Sequence, residues 1–199
     1  MNFKPKNIYQ IRETILLGIN KPKGVICSHK DERKRTKIYD LIPKSIYKKF
    51  KGNIHSVGRL DFNSQGLILI TNNTRIKTYL EKPSSKITRV YRVKVQGIIN
   101  KETINRIKEG IKIAGVLYSV ISIIILKKYQ TYTWVMIKLE EGKNQHIRKI
   151  FKKLGFSVNK LVRIQYGPYK IGTLSTGQTK FFNINKLKMS NYDNNLRNP

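Results

Sequence analysis

One acid in this chain stands where chemistry could use it. In HSVGRLDFNSQGLILITNN, residues 55–73, Asp61 lies between an arginine and a long apolar run. The chain holds eleven acids against 41 Lys plus Arg, so a carboxylate at the entrance to a core is conspicuous. Such a group can act as a nucleophile or a base. The local string DFNSQG equally describes a turn aspartate that accepts backbone N–H groups. Metal chemistry has no comparable candidate. His29, His55, His146 and the single cysteine, Cys27, are scattered without metal-ligand spacing.

The elements that must position Asp61 can be read from periodicity. ILLGIN (15–20) is a buried strand, KPKG the turn after it, and VICS a second short strand. HKDERKRTK (29–37) is a charged loop, either mobile and phosphate-facing or simply solvated, as such a run is by default. SVGRL is extended, DFNSQG turns, and LILIT returns as a buried strand. TRIKTYLEK is a short helix before Pro83. ITRVYRVKVQG alternates, with Tyr91, Val93 and Val95 on one face and Arg92, Lys94 and Gln96 on the other. NKETINRIKEG is a helix with Asn100 as its N-cap and Gly110 past its end. Three strands follow, over 111–114, 117–126 and 131–139. In NQHIRKIFKKLG, Ile147, Ile150, Phe151 and Leu154 share one face of a helix that Gly155 ends. VNKLVRIQYG is a strand, and LSTGQTKFF a closing hairpin. Strands and helices mix without βαβ alternation, which predicts an α+β fold with a mainly antiparallel sheet.

Composition narrows the partners. With 199 residues the chain can bury one substantial core, and its 39% hydrophobic content is globular. A formal net charge of +30 implies a polyanionic partner. Genomic drift toward Lys, Ile and Asn would not by itself deplete acids. The longest apolar run, VISIIIL (120–126), is far short of the roughly 18 residues a membrane span needs. Residues 1–14 lack the apolar stretch of a secretory signal. A single cysteine permits no internal disulfide and fits a reducing compartment. These features predict a bacterial cytoplasmic or organelle-matrix location, nucleic acid as the partner, and no membrane.

The string GRLDFNSQGLILITNN resembles the signature of the pseudouridine synthases, in their RsuA-like branch that modifies ribosomal RNA. The pattern is Gly-Arg-Leu-Asp, two variable positions, Thr or Ser, one variable position, then Gly-Leu and an apolar strand ending in Thr-Asn. Gly58, Arg59, Leu60, Asp61, Ser64, Gly66, Leu67, Thr71 and Asn72 fit it. INKPKGVICS is similar to the family's opening strand and turn. SSKITRVYRVKVQG resembles its second motif, and EGKNQHIRKIFKKLGFSVNKLVRIQYGP its third. The second and third are most similar to the large-subunit, RluB-like members. The resemblance implies a catalytic domain over residues 15–185, with a basic extension at 1–14 and a polar tail at 186–199. It also implies a mixed, mainly antiparallel sheet with flanking helices, in two lobes around a cleft.

What the resemblance implies chemically is isomerisation of a specific uridine in ribosomal RNA, of large-subunit type, by a monomer without cofactor or metal. The uridine N1–C1′ bond breaks, the uracil turns, and it rejoins through C5. Asp61 would be the carboxylate, either as nucleophile on the sugar or as base at C2′, and it is the one acid whose place suits that role. Arg148, at the basic position of the third motif, would pair with Asp61 and keep it ionised; by residue type alone it is another surface cation. Tyr91 would stack on the target base and assist proton removal at C5; by residue type it is a core aromatic. Arg59 would fill the space that a flipped uridine leaves, or contact phosphate. Lys21, Lys23, Asn144, His146, Lys149 and Arg163 complete the expected RNA contacts.

The sequence departs from the family pattern in three places. The fourteen residues ahead of ILLGIN are too few for the S4-type RNA-binding module that most RsuA-like proteins carry. Ser64 stands where Thr is usual, and Gln145-His146 where Arg then Gln or Glu is commoner. The competing readings are a non-catalytic RNA-binding or ribosome-assembly protein on the same scaffold, a synthase acting on small-subunit RNA, and a basic ribosomal protein.

Overall fold

The computed structural model describes residues 13–187. Among them the strands are β1 (Leu16–Lys21), β2 (His55–Val57), β3 (Gln65–Thr71), β4 (Arg89–Gln96), β5 (Ile111–Ile113), β6 (Val116–Tyr118), β7 (Ser122–Lys128), β8 (Tyr132–Leu139), β9 (Val158–Tyr166), β10 (Tyr169–Lys170) and β11 (Thr179–Phe181). The α-helices are α1 (Lys44–Lys49), α2 (Thr74–Glu81), α3 (Lys101–Glu109) and α4 (His146–Lys153). One sheet runs β11-β1-β3-β9-β4-β8-β7, with β2 added to β3 and β10 to β9, while β5 and β6 form a separate pair. None of the helices is long and apolar enough to cross a membrane.

The apolar run LILI becomes the central strand because both of its faces are buried. Its alternation divides two cores. Ile68 and Ile70 join Leu17, Ile19, Val93, Val95, Val135 and Ile137 in the larger, where α4 seats Ile147, Ile150 and Phe151. Leu67 and Leu69 face the smaller, with Ile76 and Leu80 of α2 and Tyr166 and Tyr169. Helix ends follow local signals. Asn73 accepts from the N–H groups of Arg75 and Ile76, and Asn100 accepts from that of Thr103. Past α4, Phe156 N–H reaches Phe151 O and Gly155 N–H reaches Lys152 O, a Schellman ending with Gly155 at φ +82.

At the middle of the sheet β3 and β9 run parallel for two residue pairs, Gln65↔Val162 and Gly66↔Arg163. The strands can meet there because position 66 has no side chain. A Cβ on Gly66 would lie 2.2 Å from Arg163 O and 2.6 Å from Arg163 N, and its φ is +105. This short junction carries the site.

Several expected elements differ. VICS is not a strand: Ile26 makes a single bridge to Lys37 across the charged loop. Residues 117–126 divide into β6 and β7, since β6 turns back on β5. LSTGQTKFF is not a hairpin: β11 pairs with β1, Leu17↔Phe181 to Ile19↔Thr179, and the hairpin in this region is β9–β10. Helix α1 and the 3-10 turn before it, Ile38–Leu41, were not foreseen. Of the expected polar tail, Leu187 is buried in the smaller core; residues 188–199, like 1–12, lie outside the described residues.

Candidate active site

Asp61 starts the turn between β2 and β3, and its carbonyl accepts from Ser64 N–H at 2.9 Å. The turn is held from several sides. Phe62 O accepts from Gly24 N–H at 2.9 Å, joining it to the Lys-Pro-Lys-Gly turn. Lys21 lies below, fully buried, donating to Ser64 O at 2.8 Å and Pro22 O at 3.0 Å. Arg148 reaches from α4 and donates to Val158 O at 2.9 Å and Asn63 O at 3.4 Å. The turn is therefore fixed through its backbone, which leaves the aspartate side chain free to face outward.

Two hollows meet at Asp61. One is a cleft of about 750 Å³ lined by Asp61, Tyr91, Arg163 and Tyr166. The other, of about 540 Å³, is lined by Asp61, Phe62, Arg35 and Arg148. Both fall within the size range of ligand sites. Arg59, Leu60, Asn144 and Gln145 border both hollows.

Arg148, the expected partner of Asp61, lines the second hollow with it. Among the described residues Arg148 makes no ion pair, because both ends of its guanidinium hold backbone carbonyls. Two arginines are buried in the cleft wall, Arg89, whose guanidinium donates to Ile87 O, Leu80 O and the Tyr166 hydroxyl, and Arg163, 2% exposed. The Arg163 Nε donates to Leu67 O at 2.7 Å, its guanidinium lies 4.9 Å from the Tyr166 ring, and its Nη2 has no hydrogen-bond partner. Asp61 makes no side-chain hydrogen bond or ion pair with another described residue. Asp61 and Arg163 thus line one cleft, each with bonding capacity to spare.

Tyr91, on β4, pairs with Arg163 on β9 and Ile137 on β8, and is 7% exposed while lining the cleft. It is at once a core aromatic and a cleft residue. Three further acids reach the cleft wall, so Asp61 is not alone there. Glu81 accepts from Gly58 N–H at 2.6 Å and from Lys77 at 2.7 Å. Glu141 pairs with Lys143, which holds its pKa below the usual range. Glu140 belongs to the cleft alone, whereas Asp61 borders both hollows and lies in the field of Lys21.

The expected RNA contacts divide by exposure. Arg59, Lys23 and Asn144 are exposed. Lys149 is half-buried, with its ammonium 3.3 Å from the Tyr118 hydroxyl. Lys21 and Arg163 are buried beneath the turn and bonded to carbonyls, which removes them as surface phosphate contacts. Burial brings the Lys21 pKa down to about 8, although Cys27 and Asp61 nearby favour its charge. His146 is buried edge-on against Tyr118 at 5.0 Å in the cleft wall, and burial lowers its pKa. The charged loop is braced by Asp31, whose carboxylate holds Arg35 and is brought down to about 2 by that bonding.

The burial of Lys21 has a signal in the sequence, because Leu17, Ile19 and Lys21 share one phase of β1. A cation on the buried phase of a strand signals a placed charge, not a surface one. Arg163 has no such signal, since its phase of β9 holds Asn159, Leu161 and Gln165.

A family model described as RNA pseudouridylate synthase matches residues 15–153. An uncharacterized RNA pseudouridine synthase of Rickettsia typhi is 39% identical over 181 residues, covering 89% of this chain and 70% of the relative. A ribosomal large subunit pseudouridine synthase B of Buchnera aphidicola is 36% identical over 190 residues, covering 92% and 72%. Among solved structures, a pseudouridylate synthase superposes with a TM-score of 0.77 at 24% identity, over 89% of this chain and 74% of that one. That likeness shows the fold, and the sequence matches show the family. The chain belongs to the RNA pseudouridylate synthases, enzymes that isomerise uridine to pseudouridine in RNA.

Proposed function

We propose that this enzyme isomerises a specific uridine of large-subunit ribosomal RNA, with Asp61 as the carboxylate at the sugar. The observation that carries the site assignment is that Asp61 has no side-chain partner where two hollows meet, across a cleft from an incompletely bonded buried arginine. The relatives named as large-subunit synthases support the choice of target.

In this reading the target uridine leaves its stack and enters the cleft, at a cost of a few kcal/mol that new contacts offset. Arg59, exposed at the rim of both hollows, takes up contacts at the vacated position. Asp61 meets the ribose at C1′ or C2′, N1–C1′ breaks, and the uracil turns within the cleft. C5 then bonds to C1′, the C5 proton leaves, and N1 ends protonated, so the formula is unchanged. Tyr91 supports the base and brings its hydroxyl to the C5 proton. Arg163 replaces Arg148 as the cation that keeps Asp61 ionised when RNA excludes water. Arg148 acts on the same turn by holding the Asn63 carbonyl.

The test is pseudouridine mapping of ribosomal RNA by carbodiimide primer extension, in cells with the protein, without it, and with Asp61→Asn. The expected result is one large-subunit uridine left unmodified in both the deletion and the Asp61→Asn strain. An unchanged map, with an assembly defect that Asp61→Asn rescues fully, would instead identify a binding protein on a synthase scaffold.

A further inference from the structure

The sheet has a second face, turned away from the larger core. Opposite Tyr91, Val93, Val135 and Ile137, the register of β9, β4, β8 and β7 sets side chains in two cross-strand rows. Lys160, Lys94, Trp134 and Lys127 form one row, and Val162, Arg92, Met136 and Ile124 the next. No described residue of these rows enters either core cluster, so no helix covers this face among the described residues. Ile124 is 49% exposed.

Two features point to the chemistry of what covers it. The four strands contain no aspartate or glutamate, so the cations of this face are not neutralised by acids within it. The cations also lie on aromatic rings. Lys94 is 3.6 Å from the Tyr132 ring, Arg92 is 5.2 Å from Trp134, and Lys127 is 4.9 Å from Tyr129. Tyr129 and Tyr132 stack at 4.4 Å. A second copy of this chain, itself at +30, would add like charge to these cations, and an acidic protein or bilayer would offer them carboxylates or headgroups without planar bases for the rings. Single-stranded RNA meets both requirements, since phosphates take the cations and bases stack on aromatic rings.

We propose that this outer sheet face is a second RNA-binding surface, which holds a single-stranded segment of the substrate away from the cleft. The inference rests on the reading of RNA as substrate and adds a second anchoring place. At about 4.8 Å between strands, the Lys160-to-Lys127 row is about 14 Å long. That length suits the two or three bases that four-stranded RNA-binding sheets take. It lets a flexible strand be gripped without occupying the site where Asp61 acts.

The test uses a reporter the protein already has, because Trp134 is its single tryptophan. A short polyuridylate is titrated into the full chain and into Asp61→Asn while tryptophan emission and the anisotropy of labelled RNA are read together. The expected result is saturable quenching in both proteins. The triple variant Arg92→Gln, Lys94→Gln, Lys160→Gln should lower the salt slope of log affinity by about 2, from roughly 0.7 per lost phosphate contact. Its turnover on a minimal stem-loop should be unchanged, and its KM on a longer ribosomal fragment should rise. RNA binding by anisotropy with unquenched Trp134 would overturn this inference and leave the cleft reading intact. Emission that changes with protein concentration alone would assign the face to self-association and overturn it equally. Absence of any RNA binding would count against both readings.

Discussion

Gly66→Ala is the sharpest perturbation of the junction that builds the site. The added Cβ would lie 2.2 Å from Arg163 O, and ordinary contact begins at 3.4 Å, so β9 must retreat by about 1.2 Å. The obstacle is backbone, and no rotamer change relieves it. Forcing alanine to φ +105 costs about 1–2 kcal/mol, and overpacking a buried strand contact costs a further ~1–3 kcal/mol. Together the destabilisation is about 2–5 kcal/mol, which shifts a urea midpoint down by about 1–2 M. The functional effect should exceed what unfolding explains, because Asp61 precedes Gly66 by one turn and Arg163 is its register partner. A displacement of this size between reacting groups lowers turnover by roughly 10²-fold. The assay is single-turnover pseudouridine formation at a temperature where urea melts show the variant still folded. A folded Gly66→Ala with parental turnover would refute the claim that the β3–β9 contact sets the distance from Arg163 to Asp61. A parental midpoint would refute the packing argument itself.

Three other outcomes are expected. Arg163→Met should lower turnover by roughly 10²–10³-fold, as loss of one preorganised donor does, while Arg148→Met loosens the turn and costs less than tenfold; the reverse order would restore Arg148 as the partner of Asp61. Tyr91→Phe keeps the ring in the larger core and should leave the thermal midpoint in place while turnover drops by roughly 10²-fold; unchanged turnover would leave Tyr91 with packing alone. Lys21 should show itself through pH. Its pKa falls from 10.5 to about 8 on folding, so between these values the unfolded chain binds the extra proton and stability rises with pH. Relative to Lys21→Met, the parent should therefore gain up to about 3 kcal/mol between pH 8 and 10.5, with the full penalty present below pH 8. Parallel stability curves across that window would show that Lys21 keeps an ordinary pKa in the fold.

Much of the fold was legible because its signals are local. Asn73 and Asn100 cap the helices they precede, Gly155 ends α4, and LILI is apolar on both phases, as a strand buried on both faces must be. The failures share one cause, which is pairing between distant segments. TGQTKFF carries turn residues and a strand, yet its partner is β1, more than 150 residues earlier, and nothing in its composition names that partner. VICS has the residues of a strand, but the neighbouring loop offers it a single bridge. KSIYKK has too few apolar residues to announce α1, which begins after Pro43.

The site divides along the same line, and its arginines show why. The motif match located Asp61, Tyr91 and Arg59, because a contiguous string fixes which residues occupy a turn and a strand. It did not reveal which distant cation would reach Asp61, since Arg148 and Arg163 both lie in the third motif. The resemblance to the third motif favoured Arg148, whose guanidinium here donates to the carbonyls of Val158 and Asn63. Strand phase read from the sequence does not favour Arg163 either, because its phase of β9 also carries Asn159 and Gln165, whereas Val158, Val162 and Ile164 lie on the other. Its burial shows only in the fold, and a buried guanidinium requires acceptors or a carboxylate. Leu67 O satisfies its Nε, and its buried Nη2 has no hydrogen-bond partner, in a residue that lines the cleft Asp61 borders. Lys21 repeats the pattern on β1, with Pro22 O and Ser64 O as its acceptors. In a chain with 41 cations, counting charge separates none of them. Burial in the fold separates three, Lys21, Arg89 and Arg163, and each of them donates to backbone carbonyls.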